Sequence, residues 1–151
     1  MAGIVDILQI DEPFFSVEYP EYAGTLADAI FAGVDVPRAL HVCGDVGQIF
    51  EKLVELPVAI LDHEFAAHPD LIDIVSGFDF KQTIGFGCVR SDSSEVETVP
   101  EISERVKRGI DSIGKSKMML DPDCGLRHLS PEVAKLKLQN MVKAKEAFNE
   151  G

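Results

Sequence analysis

The stretch RALHVCGD, residues 38–45, ends a short apolar run with a histidine and a cysteine placed one residue apart. In an extended strand, side chains i and i+2 point to the same side, so His41 and Cys43 would face a common space. That arrangement suits a metal ion, and it equally suits two ordinary buried side chains. The rest of the chain has to decide between these two interpretations.

Four further segments repeat the pattern of a brief aliphatic or β-branched run that ends in polar residues, namely residues 3–13, 58–65, 82–90 and 117–126. Such runs are typical of strands that are buried on both faces of a parallel sheet. Amphipathic helices are predicted between them. The helix over residues 98–113 opens with a capping box of Thr98 and Glu101, and the last helix begins at Ser130 and Pro131. The alternation predicts βαβ units in an α/β fold.

The number of units leaves two architectures open. A closed (β/α)8 barrel needs eight units, whereas five fit an open, doubly wound sheet, which counting alone would favour. The first run is followed by DEPFF and not by a glycine-rich phosphate-binding turn. This observation argues against a dinucleotide-binding fold.

Charge and cysteine content narrow the classes of function. The 151 residues carry a formal net charge of −12, which makes binding to nucleic acid or to an anionic membrane surface unfavourable. No run approaches the ~20 apolar residues of a membrane span, and the N-terminal residues do not resemble a secretion signal. Three cysteines, an odd number, fit reduced thiols better than a disulfide scaffold, so we expect a cytoplasmic protein.

Each predicted strand ends in residues that can bind a metal ion or a proton. In parallel α/β folds, chemistry collects at the carboxyl ends of the strands. The residues predicted there are Asp11, Glu12, His41, Cys43, Asp62, His63, Glu64, Cys88, Arg90, Asp121, Asp123 and Cys124. One nitrogen, two sulfurs and one oxygen from three strands make a zinc-type donor set, and two thiolates disfavour magnesium or calcium. That set is His41, Cys43, Glu64 and Cys124.

The motifs LQIDEP, HVCG, HEF and DPDCGL resemble, in this order, the catalytic C-terminal barrel of cobalamin-independent methionine synthase, in its short archaeal-type form. PDCGL is the most specific of them, and the resemblance covers essentially the whole chain. It implies one domain over residues 1–151, the C-terminal part of the catalytic barrel. The implied fold is a partial TIM (β/α)8 barrel of the methionine synthase/uroporphyrinogen decarboxylase-like type. Its five βα units would correspond to the later strands.

The resemblance also implies a site and a reaction. The family's zinc ligands fall on His41, Cys43, Glu64 and Cys124, and its substrate-binding aspartate falls on Asp11. Glu12, which follows Asp11, is also predicted to bind the substrate. Zinc as the cofactor would hold the homocysteine thiol as a zinc thiolate. The thiolate would take a methyl group from a methylcorrinoid or from methyltetrahydrofolate and give methionine.

The sequence departs from the family in two places. The early strands of the barrel have no counterpart, so we expect the chain to pair with a separate N-terminal half or with a copy of itself, because open edge strands expose unpaired backbone groups. The family's proton-donating histidine is also missing after the fourth run, where Asp92 lies near the corresponding position. Asp92 is therefore the candidate catalytic residue.

Two other functions remain open at this point. A related group of zinc methyltransferases moves a methyl group from a corrinoid protein to coenzyme M, and it also uses H-x-C-G and a late cysteine. Alternatively, the chain is a truncated zinc-binding protein without turnover. Glu64 and the PDCGL motif favour homocysteine, or another small thiol, as the substrate.

Overall fold

Five parallel strands form one sheet in the computed structural model, which describes residues 5–148. They are hydrogen-bonded in chain order, β1-β2-β3-β4-β5. A doubly wound sheet reverses its strand order at a switch point, so the observed order excludes that alternative. The strands are β1 (Leu8–Glu12), β2 (Arg38–Val42), β3 (Ile60–His63), β4 (Thr83–Val89) and β5 (Met118–Pro122).

A helix follows each strand, which completes five consecutive βα units. Neighbouring parallel strands that succeed one another in the chain are the arrangement of a (β/α) barrel, so the fold is that of part of a TIM barrel. The run predicted over residues 3–13 contains β1, and its residues 3 and 4 lie outside the described part. The helices are α1 (Ala23–Ile30), α2 (Phe50–Leu53), α3 (Leu71–Ser76), α4 (Val99–Ile113) and α5 (Pro131–Glu146), and a 3-10 turn spans Lys115–Lys117.

The two predicted helix starts are confirmed. The Thr98 hydroxyl accepts a hydrogen bond from the Glu101 backbone N–H, and the Glu101 carboxylate accepts one from the Thr98 N–H at 2.7 Å. The Ser130 hydroxyl caps α5 by accepting from the Val133 N–H. Gly114 ends α4 with a φ of +100°, a conformation that favours glycine.

The two faces of the sheet differ in chemistry. Alternate residues of the strands point to the helices and form an apolar core, in which Phe65 and Phe86 stack with ring centroids 4.5 Å apart. The intervening residues point to the other face, which opens into a cavity of about 510 Å³ that Asp11, His41 and Asp62 help to line. The helices and the apolar face therefore build a platform for polar groups on the open face.

Both flanks of the described sheet are open. Within residues 5–148, β1 pairs only with β2 and β5 pairs only with β4. Large apolar side chains are exposed beside both edges, including Ile7 and Ile30 near β1 and Leu136 and Val142 on α5. Separately, no helix in the described part of the chain has the length and apolar character needed to cross a membrane.

Candidate metal centre

The structure brings the four predicted ligand residues together. Donor atoms of His41, Cys43, Glu64 and Cys124 all lie within 4.8 Å of one another. His41 lies within β2, Cys43 follows it directly, Glu64 follows β3, and Cys124 comes two residues after β5. Residues separated by up to 83 positions in the sequence meet because their strands end at one edge of the sheet.

The spacing of the two sulfur atoms fits a tetrahedral metal ion. The Sγ atoms of Cys43 and Cys124 are 3.8 Å apart, and the structure gives both cysteines as free thiols. Two sulfurs bound at about 2.3 Å in a regular tetrahedron lie about 3.8 Å from each other. Together with one nitrogen and one carboxylate oxygen, this geometry suits zinc.

His41 is oriented for a metal by its neighbour in the sheet. Its Nδ1 is 3.0 Å from Oδ2 of Asp62, which is paired with His41 in the register of β2 and β3. Its Nε2 is buried and has no hydrogen-bond partner. A carboxylate on one ring nitrogen with the other nitrogen free is the usual arrangement of a metal-binding histidine.

The turn after β5 is tied to the loop after β3. The buried carboxylate of Asp123 accepts hydrogen bonds from the backbone N–H groups of Ala66, at 2.9 Å, and Ala67, at 2.8 Å. Burial raises the pKa of Asp123 to about 7, against the effect of these two donors. A side chain on Gly87 would collide with Oδ1 of this carboxylate. The contact therefore holds Cys124 close to Glu64.

Without a metal, the cluster holds protons. Burial lowers the pKa of His41, but the hydrogen bond and charge of Asp62 outweigh burial and raise it to about 9. Burial and the neighbouring Cys124 raise the pKa of the Cys43 thiol to about 12. Metal binding would have to displace these protons, so we expect affinity to rise with pH.

Glu64 has a second neighbour. Its Oε2 lies 3.8 Å from Nε2 of His68, four residues further along, and both side chains are only partly exposed. This separation exceeds a hydrogen bond, so Glu64 remains available to the donor cluster.

The two predicted substrate-binding residues, Asp11 and Glu12, point to opposite faces of β1. Asp11 is paired with His41 in the register of β1 and β2 and lines the cavity, where its carboxylate accepts a hydrogen bond from Gln9 at 2.9 Å. Glu12 does not line this cavity, because alternate residues of a strand face opposite sides. Its carboxylate accepts hydrogen bonds from the N–H groups of Phe14 and Phe15 and shapes the loop after β1.

The structure does not bring Asp92 into the donor cluster. Asp92 is exposed and forms a two-pronged ion pair with Arg90, with distances of 2.8 and 2.7 Å. The hydrogen bond and charge of Arg90 lower the pKa of Asp92, which does not favour a proton donor. Its catalytic assignment stays a prediction.

Two residues of the site were given no role by the sequence. Asp62 supports His41, and Asp121 lies beside Asp62 on the same face. The available signal for Asp62 was its position two residues before Glu64, because side chains two residues apart in an extended segment point to the same side. The pairing with His41 depends on strand register, which the sequence does not reveal.

Fold and site together define a class: a protein of the barrel type whose strand ends carry a cluster of histidine, cysteine and glutamate that could hold a metal ion. The family described as cobalamin-independent synthase, catalytic domain, matches residues 1–147. The chain belongs to this family. The predicted family is thereby confirmed.

Curated relatives agree with the family. The chain is 40% identical to a methionine synthase of Methanothermobacter thermautotrophicus, over 95% of its own length and 52% of the relative. It is 38% identical to a methionine synthase of Methanocaldococcus jannaschii, over 93% of its own length and 48% of the relative. The chain therefore spans about half the length of these relatives.

Solved structures agree with the fold. A B12-independent methionine synthase from Shewanella sp. W3-18-1, in complex with selenomethionine, matches with a TM-score of 0.82 at 21% identity. The match covers 97% of this chain and 49% of that one. A putative vitamin-B12 independent methionine synthase from Listeria monocytogenes matches with a TM-score of 0.69 at 18% identity. These likenesses support a partial barrel with five βα units.

Proposed function

We propose that this chain is the zinc-binding half of a methyltransferase that methylates the thiol of homocysteine and gives methionine. The observation that carries the proposal is the convergence of four donor atoms within 4.8 Å, with the two sulfurs 3.8 Å apart. The donor set of one imidazole, two thiolates and one carboxylate suits zinc better than a hard cation. His41, Cys43, Glu64 and Cys124 would hold the ion.

A bound zinc ion would keep the sulfur of a thiol substrate ionised at neutral pH. The thiol would release its proton to solvent and its sulfur would form a bond to the methyl carbon, while the electron pair of the broken bond between the methyl group and its donor would stay with the donor. The chain's own contribution is to orient the ligands: Asp62 fixes the ring of His41, and Asp123 holds Cys124 near Glu64. The methyl donor would be a methylcorrinoid or methyltetrahydrofolate.

The open cavity supports an amino-acid substrate. It adjoins the donor cluster, and its volume of about 510 Å³ is in the range of small-molecule sites. Asp11 lies on its wall, where its carboxylate would accept hydrogen bonds from the substrate ammonium group. The Shewanella methionine synthase was solved in complex with selenomethionine, and we propose a ligand of the same chemical kind for this chain.

Completion of the barrel is part of the proposal. The chain spans about half of its relatives, and both edges of the described sheet lack a neighbour. We propose that a separate N-terminal half, or a second copy of the chain, covers the exposed side chains beside β1 and on α5. Backbone groups of open edges and exposed apolar patches both favour association.

The test is zinc content per chain after metal loading, in the parent and in Cys124→Ser. We expect about one zinc in the parent and none in the variant, because the serine hydroxyl does not replace a thiolate on zinc. Cys88→Ser is the matched control, since Cys88 is buried outside the cluster and its Sγ donates only to the Asp121 carbonyl oxygen. Equal zinc in parent and Cys124→Ser would contradict the site.

Turnover is measured separately, as methionine formed from homocysteine with methylcobalamin or methyltetrahydrofolate, with and without a candidate N-terminal half. We expect formation only when the barrel is completed. Zinc binding without methionine under any of these conditions would favour the truncated zinc protein, and transfer to coenzyme M in place of homocysteine would favour the related methyltransferases. A monodisperse, well-folded monomer by light scattering would contradict the need for a partner.

A further inference from the structure

Helix α5 buries a charged side chain that the proposed chemistry does not use. Lys137 is fully buried, and its Nζ lies 2.6 Å from Oε2 of Glu97, whose side chain is 11% exposed. Removing two charges from water is costly, and apolar side chains of similar volume often fill such a place without loss of stability. The ion pair therefore points to a requirement for fixed geometry at this place in the fold.

Glu97, in the loop between β4 and α4, binds three groups. Its Oε1 accepts a hydrogen bond from the backbone N–H of Arg90 at 2.7 Å, and its Oε2 accepts one from Lys137. Its backbone oxygen accepts a third from Nδ2 of Asn140 at 2.8 Å. Arg90 directly follows β4, whereas Lys137 and Asn140 lie one turn apart on α5. Glu97 therefore ties the end of β4 to α5.

The end of β4 also holds the turn that carries Cys124. The carbonyl oxygen of Val89, the last residue of β4, accepts a hydrogen bond from the backbone N–H of Asp123 at 2.9 Å. Val89 and Arg90 are neighbours in the chain, as are Asp123 and Cys124. The backbone segment that Glu97 fixes is therefore the one against which the Cys124 turn rests.

These contacts form a closed ring around the Cys124 turn. From β5 the chain passes through Cys124 into α5, Lys137 and Glu97 lead across to the end of β4, and the Val89 carbonyl group leads back to Asp123. The turn is thus held by β4 on one side and, through α5, on the other. Support of this kind keeps a ligand in place before the metal binds.

We propose that Glu97 is a positioning residue for the metal centre: by joining Lys137 to the backbone N–H of Arg90, it fixes the turn on which Cys124 stands. In the described part of the chain, Glu97 forms no hydrogen bond with a candidate ligand, so it acts through the backbone. The inference deepens the proposed zinc site and rests on it for the effect on metal affinity. Loss of outer support typically weakens metal binding by about 10- to 100-fold, and we expect the lower end because this support is indirect.

The first experiment measures zinc affinity by competition with a chelator, together with urea unfolding. In the double variant Glu97→Leu/Lys137→Met, apolar side chains replace both charges, so the fold should keep the stability of the parent. We expect its zinc affinity to fall about 10-fold. The control is Asp111→Leu/Lys107→Met, which removes the exposed ion pair of α4 and should bind zinc like the parent. Parent-like affinity in the Glu97 double variant would overturn the proposal.

The second experiment probes the two thiols without any metal. Phenylarsine oxide bridges two neighbouring thiols by forming two As–S bonds, and its oxygen leaves with both thiol protons as water. The Sγ atoms of Cys43 and Cys124, 3.8 Å apart, suit such a bridge. We expect the Glu97 double variant to bind the arsenical about 10-fold more weakly than the parent and the control, by the same loss of support.

A change in global stability alone would leave the arsenical affinity of the folded protein unchanged. Equal affinities in the parent and the Glu97 double variant would therefore overturn the proposal. A parent that binds no arsenical would overturn it as well, because the thiols would then not be held together.

The two readouts separate this inference from the zinc proposal. If the parent binds no zinc, the proposed function fails, and the arsenical alone decides whether Glu97 positions Cys124. If the double variant does not fold, Asn140→Leu decides, because it removes one tie between the loop and α5 and leaves both charges paired. Weaker zinc and arsenical binding in Asn140→Leu would support the proposal, and parent-like binding would overturn it.

Discussion

Two histidines on neighbouring strands show how differently the two faces of this sheet are used. His41 points to the open cavity, where Asp62 raises its pKa to about 9 and its Nε2 has no partner. His63 points to the helices, packs edge-on against Phe50 with ring centroids 6.1 Å apart, and has its pKa lowered by burial to about 3. Both rings are almost fully buried, so burial alone does not distinguish a candidate ligand from a core side chain.

The difference lies in what surrounds each ring. The helix-covered face stabilises the fold by removing apolar surface from water, and a neutral His63 behaves there as one more packed ring. The open face accumulates carboxylates, which repel one another without a cation, and it places two thiols beside them. The apolar face therefore holds the strands in register, and this register supplies the geometry of the polar face.

The largest loss of stability is expected from a substitution on the helix-covered face. Phe86 is fully buried and stacks on Phe65, so Phe86→Ala should lower the free energy of unfolding by about 3–5 kcal/mol, measured by urea denaturation. Phe14→Ala is the matched control, since Phe14 is 69% exposed and its loss should change stability by less than about 0.5 kcal/mol. Similar small losses in both variants would show that the apolar face does not hold the sheet together.

An intermediate loss of stability is expected from a substitution at Gly85 of β4, which lies next to the side chains of Asp62 and Asp121. Gly85→Ala would place a methyl group 2.7 Å from Cβ of Asp62, so we expect a loss of about 1–3 kcal/mol together with weaker zinc binding. The control is Gly24→Ala in α1, where an added Cβ meets nothing within 4 Å. If Gly85→Ala matched the parent in stability and zinc affinity, the close packing of these two side chains around Gly85 would not exist in solution.

The smallest change in stability at neutral pH is expected from a substitution of His63. Leucine is similar in volume, so His63→Leu should change the free energy of unfolding of the metal-free protein by less than about 1.5 kcal/mol. The pKa of His63 is lower in the folded chain than in the unfolded chain. The unfolded chain therefore takes up more protons as the pH falls from about 6.5 toward about 3, and folding loses stability in that window.

His63→Leu has no imidazole to take up this proton. The carboxyl groups are the same in both proteins, so they contribute equally to the pH dependence of stability. Between about pH 7 and about pH 5, the stability of the parent should fall more than that of His63→Leu. Urea unfolding of the metal-free proteins at both pH values measures the difference. An identical pH dependence would mean that His63 takes up its proton equally well in the folded state.

Much of the architecture follows from local patterns. The capping residues Thr98 and Ser130 set the helix starts because their side chains satisfy backbone N–H groups that no other residue reaches. The apolar runs predicted the strands because most residues of the inner parallel strands are buried. Strand order, which decides between a doubly wound sheet and part of a barrel, is a long-range property and came only from the structure.

The sequence by itself determined which residues are able to bind a metal and that they follow strands, because donor chemistry and periodicity are local. It gave Glu12 and Asp11 the same role, although alternation sends them to opposite sides. Only the tertiary structure decided that two thiols lie 3.8 Å apart, that Asp62 meets His41, and that the side chains of Asp62 and Asp121 both lie next to Gly85. Those contacts depend on register between strands distant in the sequence, which the packing of the whole sheet fixes.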